Sequence, residues 1–389
     1  MSIVHVVHRD KFTSGYINFM KTEMGSENIF ITLKYGFELL LVDEENIYYI
    51  ENYPDCRRDG RILQILEDSN LIIFTGIFDS LGLLRFLPRH ILKKTYLQFW
   101  GGDFYYFAER RPLTDVSWNY WKHERVKCFK KCAGFIFLIE GEYEKFQESF
   151  KIRKPYFVAP MPADSRIHFR IKELRGKRRG SCTKVLIGNS ATSTNHHMGV
   201  IDWIARYRDE DMEVYIPLSY GGDNEYCEKI MAYAADKLGD KFYPVLNYMD
   251  LNSYIEFVAD MDIGIFNNNR QQAMGNILMC LGLGKKVYLR EDTSMWARYV
   301  EDGYQVFPIK KTEYMTYEGF IDFDEAAGVK NQMLYDEKET EDKAIRLWEK
   351  VIKPFWGGVV RYAIYEEKSD CCDTLYGICE RTMASRRPA

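Results

Sequence analysis

The sequence lacks any run of ~18 consecutive apolar residues, so no segment of it reads as a membrane span. It lacks an excess of basic charge: 53 Lys and Arg stand against 57 Asp and Glu, a formal net charge of −4. That balance excludes the global positive field that collects nucleic acid. Its nine cysteines are an odd number and never take the paired spacing of a zinc site; Cys128 and Cys132 lie one helical turn apart, and Cys371 and Cys372 are adjacent. Free thiols in a reducing cytosol are expected. The opening MSIVHVVHRDK carries an apolar stretch that His5 interrupts and His8-Arg9-Asp10 closes. It has no basic lead-in and is too short for a secretory signal core, so a cytoplasmic location is expected. Internal repeats and low-complexity segments are also absent.

What is present is 389 residues with 46% hydrophobic and 28% charged side chains, an ordinary globular composition. At ~100–200 residues per domain, two domains are expected. Short β-branched and aromatic runs alternate with longer helical patterns. Strands are expected near Ile3–Val7, Phe37–Val42, Leu71–Phe74, Tyr96–Trp100 and Phe135–Ile139, then near Lys184–Ile187, Glu213–Pro217, Asp262–Phe266 and Lys286–Leu289. Buried strands alternating with helices indicate α/β domains with doubly wound parallel sheets. The charged, Gly-punctuated stretch Ile167–Ser181 follows a Pro-rich turn and suits a linker. The expected division is a Rossmann-like domain over 1–165, a linker over 166–182, a second Rossmann-like domain over 183–320, and C-terminal helices over 321–389 that pack back across the domains. A long helix is expected over Glu337–Val351. Two such domains face each other across a cleft, and ligands bind beyond the C-terminal strand ends.

Three loops at such strand ends could carry chemistry. Gly188-Asn189-Ser190-Ala191-Thr192-Ser193-Thr194-Asn195-His196-His197 is rich in small hydroxyl and amide residues that could cradle a phosphate at a helix N-terminus. The same residue types also cap helices. The loop from Asn267 to Asn276 brings Arg270 and Gly275, which suit a diphosphate leaving group whose charge grows as the glycosidic bond breaks. Trp100-Gly101-Gly102-Asp103 brings backbone close to a ligand and offers Asp103 as a general base or a sugar contact. His8-Arg9-Asp10 ends the first strand in the same way. Asp260-Met261-Asp262 has the form of a metal-binding Asp-x-Asp, but it precedes its strand and so belongs at the wrong end of the sheet. The stretch Leu81–Lys131 holds eleven Lys and Arg against four Asp and Glu, interleaved with Phe86, Trp118, Tyr120, Trp121 and Phe129. Such a mixture suits an anionic membrane surface.

At these loops the sequence resembles the TDP-N-acetylfucosamine:lipid II N-acetylfucosaminyltransferases, glycosyltransferase family 56. The resembling pieces run in order. They are His5-Val6 with Asp10; Phe99-Trp100-Gly101-Gly102-Asp103-Phe104-Tyr105; Val185 to Ser190 with Asn195 and His197; Val214 to Tyr220 with Asn224-Glu225; Asp262-Ile263-Gly264 leading to Arg270-Gln271-Gln272 and Gly275; and Arg290-Glu291 with Trp296. The resemblance implies a GT-B fold, a dTDP-linked donor sugar and a polyprenyl-diphosphate-linked oligosaccharide acceptor. It places the donor mainly in the second domain, at Asn189, Ser190, Asn195, Arg270, Gln271, Gln272 and Glu291. Gly188, His197, Pro217, Tyr220, Gly275 and Asn276 belong to the same loops. It leaves the acceptor to the first domain, at Trp100, Gly101, Gly102 and Tyr105, with Asp103 and Asp10 facing the sugar as catalytic carboxylates and Arg270 opposite them. No metal or other cofactor is expected, and the protein is expected at the inner face of the cytoplasmic membrane. A nucleotide-sugar 2-epimerase of the same architecture and a non-enzymatic sugar-nucleotide-binding protein are the alternatives.

Overall fold

The first strand, IVHVV, is buried at every position because helices cover both faces of its sheet. The computed structural model describes residues 2–25, 27–109, 111–162, 165–176, 182–309 and 315–355. The chain forms two units. One spans Met1–Pro162 and resumes at Asp342, and the other spans Ala163–Glu341.

The first unit is built on β1 (Ile3–Val7), β2 (Asn28–Leu33), β3 (Ile47–Ile50), β4 (Leu71–Thr75), β5 (Thr95–Gln98), β6 (Gly134–Phe137) and β7 (Tyr156–Val158). They lie in the order β3-β2-β1-β4-β5-β6-β7, and every pairing is parallel. The second unit holds β8 (Thr183–Ile187), β9 (Met212–Pro217), β10 (Phe242–Val245), β11 (Ile263–Phe266), β12 (Lys286–Leu289) and β13 (Phe307–Pro308). Their order is β10-β9-β8-β11-β12-β13, again wholly parallel. Each sheet therefore winds outward from its first strand in one direction and then reverses. The reversal falls between β1 and β4 in one unit and between β8 and β11 in the other.

Four expectations are corrected. Phe37–Val42 is not a strand. It runs beside the helix Thr13–Glu23, where the Ser14 hydroxyl accepts from the Leu40 N–H and the Asn18 amide bonds Leu40 and Val42. Leu39 and Leu41 pack on the core while Phe37, Leu40 and Val42 face solvent. The alternation is real, but its backbone bonds go to side chains instead of a ladder. The expected linker opens as a helix, Ser165–Leu174, because Ile171 and Leu174 are buried on one face of it; residues 177–181 lie outside the described residues. Arg175 beyond it bonds Gly282 and Asp336 within the second unit. The expected helix Glu337–Val351 is two helices, Glu325–Lys338 and Glu341–Ile352. The first stops at Glu339, whose carboxylate is held by Arg298 at 2.6 Å, and the second carries the fully buried Trp348 into the first unit. Lastly, the expected strands omitted β2, β3, β7, β10 and β13, which are short or only partly buried. The six described cysteines are free; Cys371 and Cys372 lie outside the described residues. Among the described residues, no helix is long and apolar enough to cross a membrane.

One polar residue sits in the middle of the buried β1. The Asn28 amide donates to Met20, Met24 and Gly25, which turns its oxygen toward His5 Nε2 at 2.9 Å. His5 Nε2 therefore donates, and Nδ1 accepts from the Tyr16 hydroxyl at 2.8 Å. Burial lowers the His5 pKa from 6.5 to about 4. A folded-state pKa below the unfolded one means that the neutral ring's contribution is intact above pH 6.5 and is lost as pH falls through about 4. The loss at this one ring is of the order of 3 kcal/mol. Denaturant titrations of His5→Gln should show lower stability at neutral pH and a shallower decline on acidification than the parent. Parallel pH curves would refute the assignment.

Candidate active site

A loop that leaves a parallel strand beside the reversal of strand order has its crossovers running away on both sides, and this leaves a crevice. In the second unit the two loops at that position follow β8 and β11. They read GNSATSTNHH and NNNRQQAMGN, and neither contains an acidic residue. The structure knits them together through amides and hydroxyls. Gln272 Nε2 donates to Asn189 Oδ1 at 3.0 Å, Ser190 Oγ at 3.3 Å and Thr192 Oγ1 at 2.9 Å, and its Oε1 accepts from the Thr194 hydroxyl at 2.6 Å. Asn195 is buried beneath them. Its oxygen accepts from the Asn189 N–H and from Asn268 Nδ2, and its nitrogen donates to Ser190 and Thr192. Asn189 Nδ2 reaches the Tyr220 hydroxyl at 3.1 Å.

Gly188 starts the first loop at φ 69°, a left-handed conformation that disfavours side chains. A Cβ there would lie 2.8 Å from Asn195 Oδ1 and 2.8 Å from His197 Nε2. The His197 ring is buried, with Nδ1 3.0 Å from the Tyr226 hydroxyl, and burial lowers its pKa to about 4, so the ring is neutral. His197 Nε2 and Asn268 Oδ1 are buried without a protein partner among the described residues. The second loop ends at Ala273, itself left-handed at φ 60°, and no side chain caps the helix Met274–Gly282 that follows. Gly275 in its first turn faces open space. Arg270 is half-buried, and its Nη1 donates to the Gln271 carbonyl at 3.2 Å. Pro217, Asn276 and Glu291 lie at the same edge, outside the amide lattice. Arg290, beside Glu291, grips Asp292 with bonds of 3.0 and 2.7 Å.

Most of the expected donor residues are thus brought together: Gly188, Asn189, Ser190, Asn195, His197, Tyr220 and Gln272. Thr192, Thr194, Asn268 and Tyr226 join them and were not singled out from sequence. The run of small polar residues marked the loops, but which of them meet depends on β8 and β11 being neighbours. Asp260 and Asp262 sit at the opposite edge. Asp260 pairs with Lys184 Nζ at 2.7 Å, and Asp262 accepts the Lys184 N–H at 3.0 Å.

In the first unit the loops after β1, β4 and β5 converge. The His8 ring lies 4.8 Å from Phe78 and 5.8 Å from Trp100, and Phe12 lies 6.1 Å from Trp100. Gly101 has φ 94° and turns the chain into the helix Gly102–Ala108. Asp10 is half-buried at the end of β1, where its N–H donates to the Thr13 hydroxyl and its Oδ1 accepts weakly from the Phe12 N–H at 3.4 Å. Asp103 corrects the expectation that it faces a sugar. It is 1% exposed, and its carboxylate accepts from the Ile77 N–H at 3.0 Å and the Trp100 N–H at 3.1 Å. Arg125 donates to Ile77 O at 2.8 Å beside it. Burial pushes the Asp103 carboxyl up to about 6 against the pull of those donors. Its place is to tie the loops after β4 and β5 together. Tyr105 is likewise turned inward, donating its hydroxyl to the buried Glu142 at 2.8 Å.

Two glycines test this geometry. Gly188→Ala should cost about 2–4 kcal/mol, from left-handed strain plus overlap with Asn195 and His197. Gly275→Ala, in open helical space, should change stability by less than ~0.5 kcal/mol. Thermal denaturation of the two variants separates them, and equal melting temperatures would contradict the packing at Gly188.

The architecture matches solved structures along nearly its whole length. A glycosyltransferase from Rickettsia africae superposes with a TM-score of 0.62 at 13% identity, covering 92% of this chain and 99% of that one. A trehalose-6-phosphate structure from E. coli bound with UDP-2-fluoro glucose gives 0.60 at 9% identity, covering 91% and 99%. The N-terminal domain of a trehalose-6-phosphate phosphatase from Candida albicans gives 0.59 at 10% identity, covering 91% and 97%. At these identities the likeness is one of fold, and the fold is GT-B. Residues 62–316, more than half of the 389-residue chain, match 4-alpha-L-fucosyltransferase glycosyl transferase group 56. The chain belongs to that family and is a glycosyltransferase.

Proposed function

We propose that this enzyme transfers a sugar, N-acetylated and deoxygenated as the family resemblance implies, from dTDP onto a polyprenyl-diphosphate-linked oligosaccharide in bacterial surface glycan synthesis. It works at the inner face of the cytoplasmic membrane. The observation that carries the donor assignment is the acid-free lattice of Asn189, Ser190, Thr192, Thr194 and Gln272 at the reversal of the second sheet. Diphosphate oxygens need hydrogen-bond donors and no competing carboxylates, and the two loops after β8 and β11 carry amides and hydroxyls and no acid. The uncapped helix Met274–Gly282 adds its dipole, and Arg270 adds a guanidinium. The E. coli structure bound with UDP-2-fluoro glucose supports the reading of a nucleoside-diphosphate sugar as donor. The acceptor sits in the first unit, with a sugar ring stacked among Phe12, Phe78 and Trp100 and its hydroxyl offered to Asp10 as general base. Asp103 contributes by holding Trp100 and Ile77 in place.

The leaving diphosphate gains charge in the transition state, and Arg270 with the helix N-terminus offsets it without a divalent metal. Of dTDP, UDP and GDP, dTDP should raise the melting temperature most, since a ligand at 100 times its Kd adds about 2.7 kcal/mol. Equal shifts by all three would count against the thymidine assignment. Transfer should persist in excess EDTA; loss of activity restored by Mg²⁺ or Mn²⁺ would overturn the metal-free reading. At saturating donor, Arg270→Ala should lower kcat by roughly 10²–10³-fold. Arg270→Lys should recover only part, because it keeps the charge without the planar fork. Wild-type turnover in Arg270→Ala at an unchanged melting temperature would remove the residue from the mechanism.

A further inference from the structure

One outer face of the first unit pairs exposed apolar side chains with arginines that are held in place. The turn Pro112–Asp115 is closed by the Asp115 N–H donating to Pro112 O at 3.0 Å, and Asp115 then caps the helix Val116–Lys131 through the Trp118 N–H at 3.1 Å. Asn119 Nδ2 bonds the Pro112 and Asp115 carbonyls, which stiffens the turn further. This rigid tip presents Leu113, 90% exposed, and Val116, 74% exposed. A helical turn farther on are the exposed rings of Tyr120 and Trp121. Arg85 lies against them, its guanidinium 4.5 Å from Phe86, 5.2 Å from Trp121 and 5.9 Å from Tyr120, with Nη1 bonded to the Tyr120 hydroxyl at 2.7 Å. Arg57 covers Phe86 from 4.8 Å.

We propose that this face is the bilayer-docking device of the enzyme: Leu113 and Val116 enter the hydrocarbon, Tyr120 and Trp121 sit at the interface, and Arg57 and Arg85 bind anionic lipid phosphates. It rests on the reading that the enzyme works at a membrane. The order from aliphatic tip through amphipathic rings to cations is the order of layers in a leaflet. Charge complementarity fixes the occupant. The chain as a whole is acidic at −4, so attraction to an anionic surface has to be local. Around Arg85 and the apolar tip, Asp115 is already paired with Arg111 at 3.3 Å and Glu124 with Lys127 at 2.8 Å. The aromatic rings hold the guanidinium of Arg85 in place, so it loses little freedom on meeting a phosphate. The basic stretch Leu81–Lys131 does not act as a whole, since Arg125 within it is buried against Asp103 and Ile77.

Flotation of the full chain with phosphatidylcholine vesicles, with and without phosphatidylglycerol, tests this. Wild type should bind the anionic vesicles and release at high salt. Leu113→Ser/Val116→Ser should lower the bound-to-free ratio about tenfold while keeping the salt response. Arg57→Gln/Arg85→Gln should flatten the salt response. Brominated lipid should quench tryptophan emission in wild type and not in Trp121→Phe. Unaltered dTDP-induced stabilisation in every variant confirms that the fold is intact. If wild type floats and neither double variant differs from it, this face is overturned while the membrane reading stands. If wild type binds no vesicle, or binds neutral ones equally well, both fall.

Discussion

The structure depends on one constraint: a parallel strand can be followed only by a crossover that returns to the same starting edge. All thirteen strands among the described residues obey it, so every strand-to-helix loop of a unit emerges on one edge of its sheet. Within that edge the reversal between β8 and β11, like that between β1 and β4, is where crossovers part. Candidate site residues separated by about eighty positions, such as Asn189 and Gln272, become hydrogen-bond partners there. The same rule puts Asp260 and Asp262 at the far edge with Lys184, where they serve the join between helix and strand.

The two edges handle buried polarity differently. In the second unit, neutral amides and hydroxyls satisfy one another around Gln272 and Asn195, so the loops hold their shape at little electrostatic cost. In the first, carboxylates are buried: Asp103 fastens two loops, and Glu142 accepts from the Tyr105 hydroxyl. The raised pKa of Asp103 records that the fastening works against desolvation. A carboxylate committed in this way keeps Ile77 and Trp100 in register. The half-buried Asp10 differs because its helix end stays near solvent.

Much of the fold was legible. The apolar runs at Ile3–Val7 and Leu71–Thr75 are long enough, and buried at every position, to declare central parallel strands. Edge strands such as β3 and β10 were not legible, because partial exposure dilutes their pattern. The segment Phe37–Val42 misled for the opposite reason: it has a strand's alternation, but its partners are Ser14 and Asn18 of a helix. The helix Ser165–Leu174 was hidden by its charge, since Ile171 and Leu174 are few among lysines and arginines. The loops of the candidate site were legible as loops because hydroxyl and amide residues are over-supplied for capping alone.

By itself, then, the sequence determined two parallel α/β units, the loops of the candidate site and the family to which the chain belongs. Local composition and periodicity are enough for the units and the loops, because each is written in consecutive residues; the family came from the resemblance of the motifs those loops carry. Only the tertiary structure decided which side chains in those loops meet, that Asp103 and Tyr105 turn inward, and that the chain returns through Trp348 to its first unit. These outcomes turn on burial and on neighbours distant in sequence. A carboxylate in a Gly-Gly-Asp turn looks the same in sequence whether its oxygens meet water or the N–H groups of Ile77 and Trp100.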